Sequence, residues 1–471
     1  MPGETDTRNG EGRILRAGGA SRSGRSGEDW MKQTALRTDR IGVRTNWGRH
    51  AAVSAGQTET RNGGQRTMIR ADRLTETFLW LTRFDAESYH ERKIADALKE
   101  RFAAMGMTAE EDDAAEALRA EWERSHPESG RPADPSGNLL VRVPGVLPGA
   151  PVLFAAHLDT VAPGNGRKAV LHRADEERPD DEEGKEKERP HAGVREDMLT
   201  SDGTTVLGGD DGAAIAEILE AVMSLEEEKI PHRELELLFT AAEEPYCRGS
   251  RHFDFSRIRA KEAYVVDLDG PAGTASLSAP VIVSFYAEVR GRSAHAGFRP
   301  EDGIHAIAAA AAAVSRLPSG RIDADTTFNI GKIAGGTAKN IVPDRVRMEG
   351  ELRSRSAETA EAFERQAESV FREEAEKAGA TAELRWDVNF PSFRVGDDSC
   401  IVRRFREACR TIGLKPKTVS TFGGSDNNRL AVAGIPGLVI SCGYFNAHTV
   451  RETVSVREMV RTAELLEALA R

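Results

Sequence analysis

Val152-Leu153-Phe154-Ala155-Ala156-His157-Leu158-Asp159-Thr160 reads as a buried strand that runs out onto a histidine and an acid. Its unbroken apolar run suits a strand covered on both faces, as in a parallel sheet flanked by helices. In such sheets ligands gather at the carboxyl ends of strands, where loops converge on one crevice. An imidazole at that place can bind a metal while the carboxylate two residues on orients it. Alone, the HxD pair is weak evidence, because most such pairs are turn caps or satisfied surface histidines.

Working outward, the same texture recurs. Leu139–Val143, 234–240, Ala263–Val266 and 438–441 read as further strands. Helical spacing marks Leu74, Phe78 and Leu81, then Ile94, Leu98 and Phe102, and the stretches 212–225 and 399–412. Strands alternating with helices predict an α/β catalytic domain with a mainly parallel sheet flanked by helices. It spans 68–280 and resumes at 393–471. Between these parts, 281–392 carries a strand (281–289), an alanine-rich helix (304–317), strands at 326–333 and 345–353, and a helix from 358 to 378. That order resembles a small inserted α+β sandwich of the kind that serves as a lid or dimerisation domain. Residues 171–197 are dominated by Glu, Asp, Lys and Arg without an apolar face, which predicts a solvated surface insertion. Residues 1–67 are rich in Arg, Gly, Ser and Thr without periodicity, and are expected to be disordered or to precede a true start at Met68. They hold no apolar core for a secretory signal, and their scattered acids oppose a transit peptide. No internal repeat is evident.

Composition narrows the function classes. A chain of 471 residues has room for two to three domains. A formal net charge of −11 argues against a nucleic-acid partner. No apolar stretch reaches the roughly 18–20 residues of a membrane helix. Four cysteines without a CxxC pair predict neither a disulfide framework nor a cysteine zinc knuckle, and suit the cytoplasm. Any metal would be held by histidines and carboxylates.

Four more signals accompany the HxD. Gly208-Gly209-Asp210-Asp211-Gly212 opens an apolar helix, Glu243-Glu244 follows the strand at 234–240, Asp267 ends the strand at 263–266, and His448 lies just past 438–441. Each has an ordinary alternative: a helix cap, a surface Glu-Glu pair, a strand-end acid, a surface imidazole. Their sum is harder to dismiss. Five strand ends or helix starts each deliver an acid or imidazole to one crevice. Two histidines and three carboxylates, one of them bridging, suit a pair of hard-to-borderline divalent ions, with zinc foremost. One glutamate is left over to act as a base. A phosphate-binding loop GxxxxGK[ST] and a serine-hydrolase GxSxG elbow are both absent.

In this order the motifs resemble the superfamily of zinc aminoacylases, peptidase T, carboxypeptidase G and succinyl-diaminopimelate desuccinylase. The resemblance runs from Ile69 to Arg471, leaving out the acidic insertion, and around 263–273 it is similar to the tripeptidase branch of peptidase T. It implies a dizinc metallopeptidase, with cobalt or manganese able to use the same ligands. His157 would serve one zinc with Asp159 behind it, Asp210 would bridge, Glu244 and Asp267 would each serve one ion, and His448 would complete the set. The expected chemistry is attack by a metal-bridging hydroxide on a short peptide, with Glu243 as general base. Gly291-Arg292-Ser293-Ala294-His295-Ala296-Gly297 is similar to the superfamily's lid motif, whose histidine stabilises the oxyanion, often from the partner subunit. Asn340 and Arg353 match lid positions linked to substrate binding, and the lid implies a homodimer. A dipeptidase, an aminoacylase or another amidohydrolase would use the same scaffold; a non-catalytic metal-binding protein would be expected to lack one of these groups. Two departures stand out: the turn reads DDGAA, and Pro245-Tyr246-Cys247 replaces the usual apolar residues.

Overall fold

The structure, a computed structural model, describes residues 69–174 and 196–471. Its centre is an eight-stranded sheet. In chain order the strands are β1 (Ala109–Glu111), β2 (Leu139–Val143), β3 (Val152–His157), β4 (Leu235–Thr240), β5 (Ala263–Leu268), β6 (Thr274–Ser276), β7 (Lys417–Val419) and β8 (Gly437–Ser441). Across the sheet they lie β1-β2-β4-β3-β5-β8-β6-β7. The sheet is mixed: β4, β3, β5 and β8 run parallel, β2 and β1 extend one side antiparallel, and β6 meets β8 antiparallel before pairing parallel with β7. The parallel quartet puts four carboxyl ends on one edge.

Both faces of the quartet are buried, which is why its strands are apolar without alternation. Val152, Phe154 and Ala156 of β3 enter one core with Leu74 and Phe78 of helix Ala71–Leu81 and with Ile215 and Leu219 of helix Gly209–Glu227. Leu153 and Ala155 enter the opposite core with Phe253 and Leu430. No helix of the described residues is long and apolar enough to cross a membrane.

Residues 281–390 build a separate antiparallel sheet of five strands, ordered Gly320–Arg321, Thr326–Gly335, Arg345–Ser354, Val281–Arg290, Thr381–Phe390. Val281, Val283, Phe285, Ala287 and Val289, every second residue, pack against helices Ala306–Arg316 and Ala357–Ala378. The last strand, Thr381–Phe390, extends this unit beyond the elements read from the sequence. A four-stranded sheet of Ala169–His172, Met198–Ser201, Tyr444–Phe445 and Thr453–Ser455 also escapes the sequence reading. Its first two strands flank the charged segment, of which 175–195 lies outside the described residues, as does the whole of 1–67.

One edge of the large sheet is tied by charge. Glu111 of β1 takes Arg92 Nη2 at 2.6 Å, Lys99 Nζ at 2.8 Å and the Gly137 amide at 2.9 Å. Burial alone would push this carboxyl up, but those bonds bring it down to about 2. A depressed acid stabilises the fold above its unfolded pKa of about 4.3, and that contribution fades as pH falls towards the folded value. Glu111→Gln should therefore cost roughly 3 kcal/mol at pH 7 and about half that at pH 3. Urea melts of both proteins at the two pH values check this; an equal cost at both would contradict it.

Candidate metal centre

His157 closes β3 with its Nδ1 2.9 Å from the Asp159 carbonyl, which turns Nε2 into the crevice. There Nε2 lies 3.0 Å from Asp210 Oδ1 and 4.0 Å from Asp267 Oδ1. The other Asp210 oxygen is 3.2 Å from His448 Nε2, and that nitrogen is 3.0 Å from Glu244 Oε2. Asp210 thus lies between two imidazoles, each with a second carboxylate of its own. Ligand atoms of His157, Asp210 and Glu244 fall within 4.8 Å of one another, as do those of His157, Glu243 and Asp267, and those of Asp210, Asp211 and Asp267.

Two buried carboxylates hold this arrangement from behind. Asp159 accepts the Glu243 amide at 2.8 Å, the Glu244 amide at 3.2 Å and the Ser88 hydroxyl at 2.7 Å. The acid of the HxD pair therefore aligns the Glu-Glu segment as well as His157. Glu452 accepts the amides of Leu207, Gly208 and Asp210, each at 2.8 Å. Gly208 has φ +78°, and a Cβ on Gly209 would come within 2.5 Å of Val454, so the turn needs its glycines. Glu452→Ala would leave three buried amides without a partner. We expect a loss of about 2–4 kcal/mol in stability and a 10–100-fold weaker metal affinity. Denaturant melts and metal titration check both; a variant with wild-type metal affinity would remove Glu452 from this role.

The electrostatics are those of a cation site. Burial and neighbouring acids push the Glu243, Asp267 and Asp211 carboxyls well above their usual range, and Glu244 to about 6. His448, beside Asp210 and Glu244, is raised to about 11. Five acids crowded against two imidazoles are costly unless protons or cations intervene. Glu244 Oε1 is buried without a hydrogen-bond partner among the described residues. Imidazole nitrogens and carboxylate oxygens in this number fit one or two divalent ions of borderline hardness.

Comparison with known proteins agrees with the geometry. The model of the peptidase dimerisation domain matches residues 279–379, and that of peptidase family M28 matches residues 138–296. The protein YqjE of Bacillus subtilis is 36% identical over 85% of this chain and 98% of its own length. The crystal structure of aminopeptidase PepT from Bacillus cereus is 35% identical with a TM-score of 0.71, covering 86% of this chain and 98% of that one. A tripeptidase from Staphylococcus aureus is 32% identical with a TM-score of 0.74 over the same shares. This chain belongs to the peptidase T family.

The peptidase's lid residues stand apart from the cluster. His295 is exposed, and its Nδ1 accepts the amides of Gly297 and Phe298, leaving Nε2 outward. Asn340 is exposed beside it, its carbonyl accepting the Ala296 amide. Arg353 pairs with Glu351 at 2.5 Å and donates to the Phe422 carbonyl at 2.7 Å, while Tyr246 donates to Glu351 at 3.1 Å. Among the described residues, none of the three hydrogen-bonds or ion-pairs with the histidines or acids of the centre.

Other contacts of the peptidase's centre lie outside the sequence reading, which singles out Cys247 only as a departure from the superfamily pattern. Asp426, capped into helix Asp426–Val432, accepts the Ser250 and Thr240 hydroxyls beneath the Glu-Glu loop. Tyr444 donates to Asp267 at 3.3 Å, and Cys247 to Glu243 at 3.0 Å. Of seven non-glycine residues with positive φ among those described, Tyr89, Ala242, Tyr246, Cys247, Asn446 and His448 belong to loops around the centre. Backbone strain of order 1 kcal/mol per residue is concentrated where the ligands are presented.

Proposed function

We propose that this peptidase is a dizinc tripeptidase in which His157 and Asp267 would hold one ion and His448 and Glu244 the other, with Asp210, between the two imidazoles, shared by both sites. The observation that carries the reading is the Asp210 carboxylate between two imidazoles, each with its own acid. When bound, the ions would supply a Lewis acid for the scissile carbonyl and lower the pKa of water. Glu243 is the general base: no ligand role is assigned to it, its backbone is held by Asp159, and its carboxylate is within 4.8 Å of His157 and Asp267. It takes a proton from the attacking water and returns it to the leaving amine. Asp159 keeps His157 and the Glu-Glu segment aligned. His295 supports the oxyanion from the lid. Asn340 and Arg353 orient the peptide, Arg353 through guanidinium bonds to a carboxylate. The likeness to an aminopeptidase PepT and a tripeptidase supports this substrate class. The match to a peptidase dimerisation domain supports a homodimer, and cysteine usage supports a cytoplasmic setting.

A dipeptidase or aminoacylase would use the same ligands, so substrates decide. The purified protein should contain two zinc ions per chain and cleave tripeptides at least tenfold faster, by kcat/KM, than dipeptides or N-acyl amino acids. The reverse preference would remove the tripeptidase reading while leaving the centre intact.

A further inference from the structure

A cleft of about 570 Å³ opens between the catalytic half and the lid. It is lined by Tyr89, Glu121, Arg124, Ser125, Arg248 and Arg385. Its volume falls within the range that takes a small ligand. Three of these six residues are arginines, in a chain whose net charge is −11.

The arginines come from three separate elements. Arg124 lies in helix Ala114–Ser125 and has no ion pair among the described residues. Arg248 opens the short helix after the Glu-Glu loop and donates through Nε to the Pro245 carbonyl. Arg385 comes from the lid strand Thr381–Phe390, lying 4.3 Å over the Tyr286 ring and 3.3 Å from Asp387. The single acid of the lining, Glu121, is engaged by His252 at 3.1 Å and stands 3.9 Å from Arg248. The cleft therefore keeps a surplus of guanidinium charge.

Its position ties it to the reaction. The Arg248 amide bonds the Ala242 carbonyl at 2.7 Å, and the Cys247 amide bonds that of Glu243 at 2.5 Å, so Arg248 is one turn from the Glu-Glu pair. Tyr89 packs on Ala241 and Ala242. On the far wall, Tyr246 meets Phe390 of the strand that carries Arg385, with ring centroids 6.0 Å apart.

We propose that the cleft is a substrate subsite that binds a carboxylate of the peptide away from the scissile bond. The inference rests on the peptidase reading above. Guanidinium groups suit the task because they donate several bonds to a carboxylate. An acidic side chain or the terminus of a longer peptide could supply the group.

The zinc-loaded protein tests this with trialanine analogues carrying Glu or Gln at each position in turn, and with tetra-alanine and its C-terminal amide. At one position Glu should exceed its Gln isostere in kcat/KM by about tenfold, as a charge-assisted bond predicts. Arg124→Gln with Arg385→Gln should bring that ratio close to one. A preference for tetra-alanine over its amide, lost in the same double variant, would instead identify the chain terminus as the carboxylate. Ratios near one for both series, or ratios unchanged in the double variant, would overturn the proposal. Calorimetric binding of the same peptides to zinc-loaded Glu243→Gln measures the preference without turnover. Failure of the tripeptidase reading would thus leave the subsite tested separately.

Discussion

Glu243→Gln should lose roughly 10²–10⁴-fold in kcat and keep its metal content, since general-base catalysis contributes about that much. Glutamine preserves the side chain's volume and can still accept the Cys247 thiol hydrogen now bonded to Glu243 Oε1. What it cannot do is take up a proton from water. The backbone of the residue is held by Asp159 whatever the side chain, so the loop keeps its shape. Metal analysis and steady-state kinetics on the same preparation check the split. A variant with near-normal turnover would take the role of base away from Glu243. A variant stripped of metal would mean that Glu243 is itself a ligand.

Removing the metal should act on activity and stability together. Hydrolysis should fall below detection in excess chelator and return on adding zinc. The folded state binds the ions through residues that the unfolded chain scatters, so metal at a thousandfold excess over its Kd adds about 4 kcal/mol. The thermal transition of the chelated protein should accordingly lie several degrees lower. Without ions, His157 and His448 are the nearest positive charges to Asp210, Glu244 and Asp267. Those imidazoles must lose their protons to bind metal, so zinc affinity should weaken as the pH falls. Equal transition temperatures with and without chelator would mean that these groups do not form a metal site.

The quartet of buried strands was legible because burial on both faces leaves apolar runs such as Val152–Ala156 and Leu237–Phe239, bounded by polar turns. The acids and imidazoles that the fold brings together were legible because they sit where those runs stop. Thr381–Phe390 offered an equally plain signal, Ala382, Leu384, Trp386, Val388 and Phe390 on alternate positions, which the sequence reading leaves out. The small sheet gave less to read: its strands have two to four residues, and the pairing that joins its halves spans about 250 positions, as in Leu199 with Val454. Glu452 and Asp426 are silent for a similar reason. Each is one acid in a polar stretch, and only the folded chain shows which amides or hydroxyls surround it. Tyr246 marks a departure from the superfamily pattern, but its bond to Glu351 becomes visible only once the lid is folded against the loop.

That bond, with Arg353 reaching the Phe422 carbonyl, grips strand Arg345–Ser354 near its carboxyl end, where Ser354 faces Val281 and the chain enters the lid. His295 and Asn340 lie past the opposite end, where Arg345 faces Arg290. Ten residues at about 3.3 Å each make a stiff arm of roughly 30 Å. Pivoting it by about ten degrees at the anchored end sweeps the imidazole through about 5 Å on that geometry. A small adjustment among Tyr246, Glu351 and Arg353 is thereby amplified into a displacement on the scale of a peptide residue.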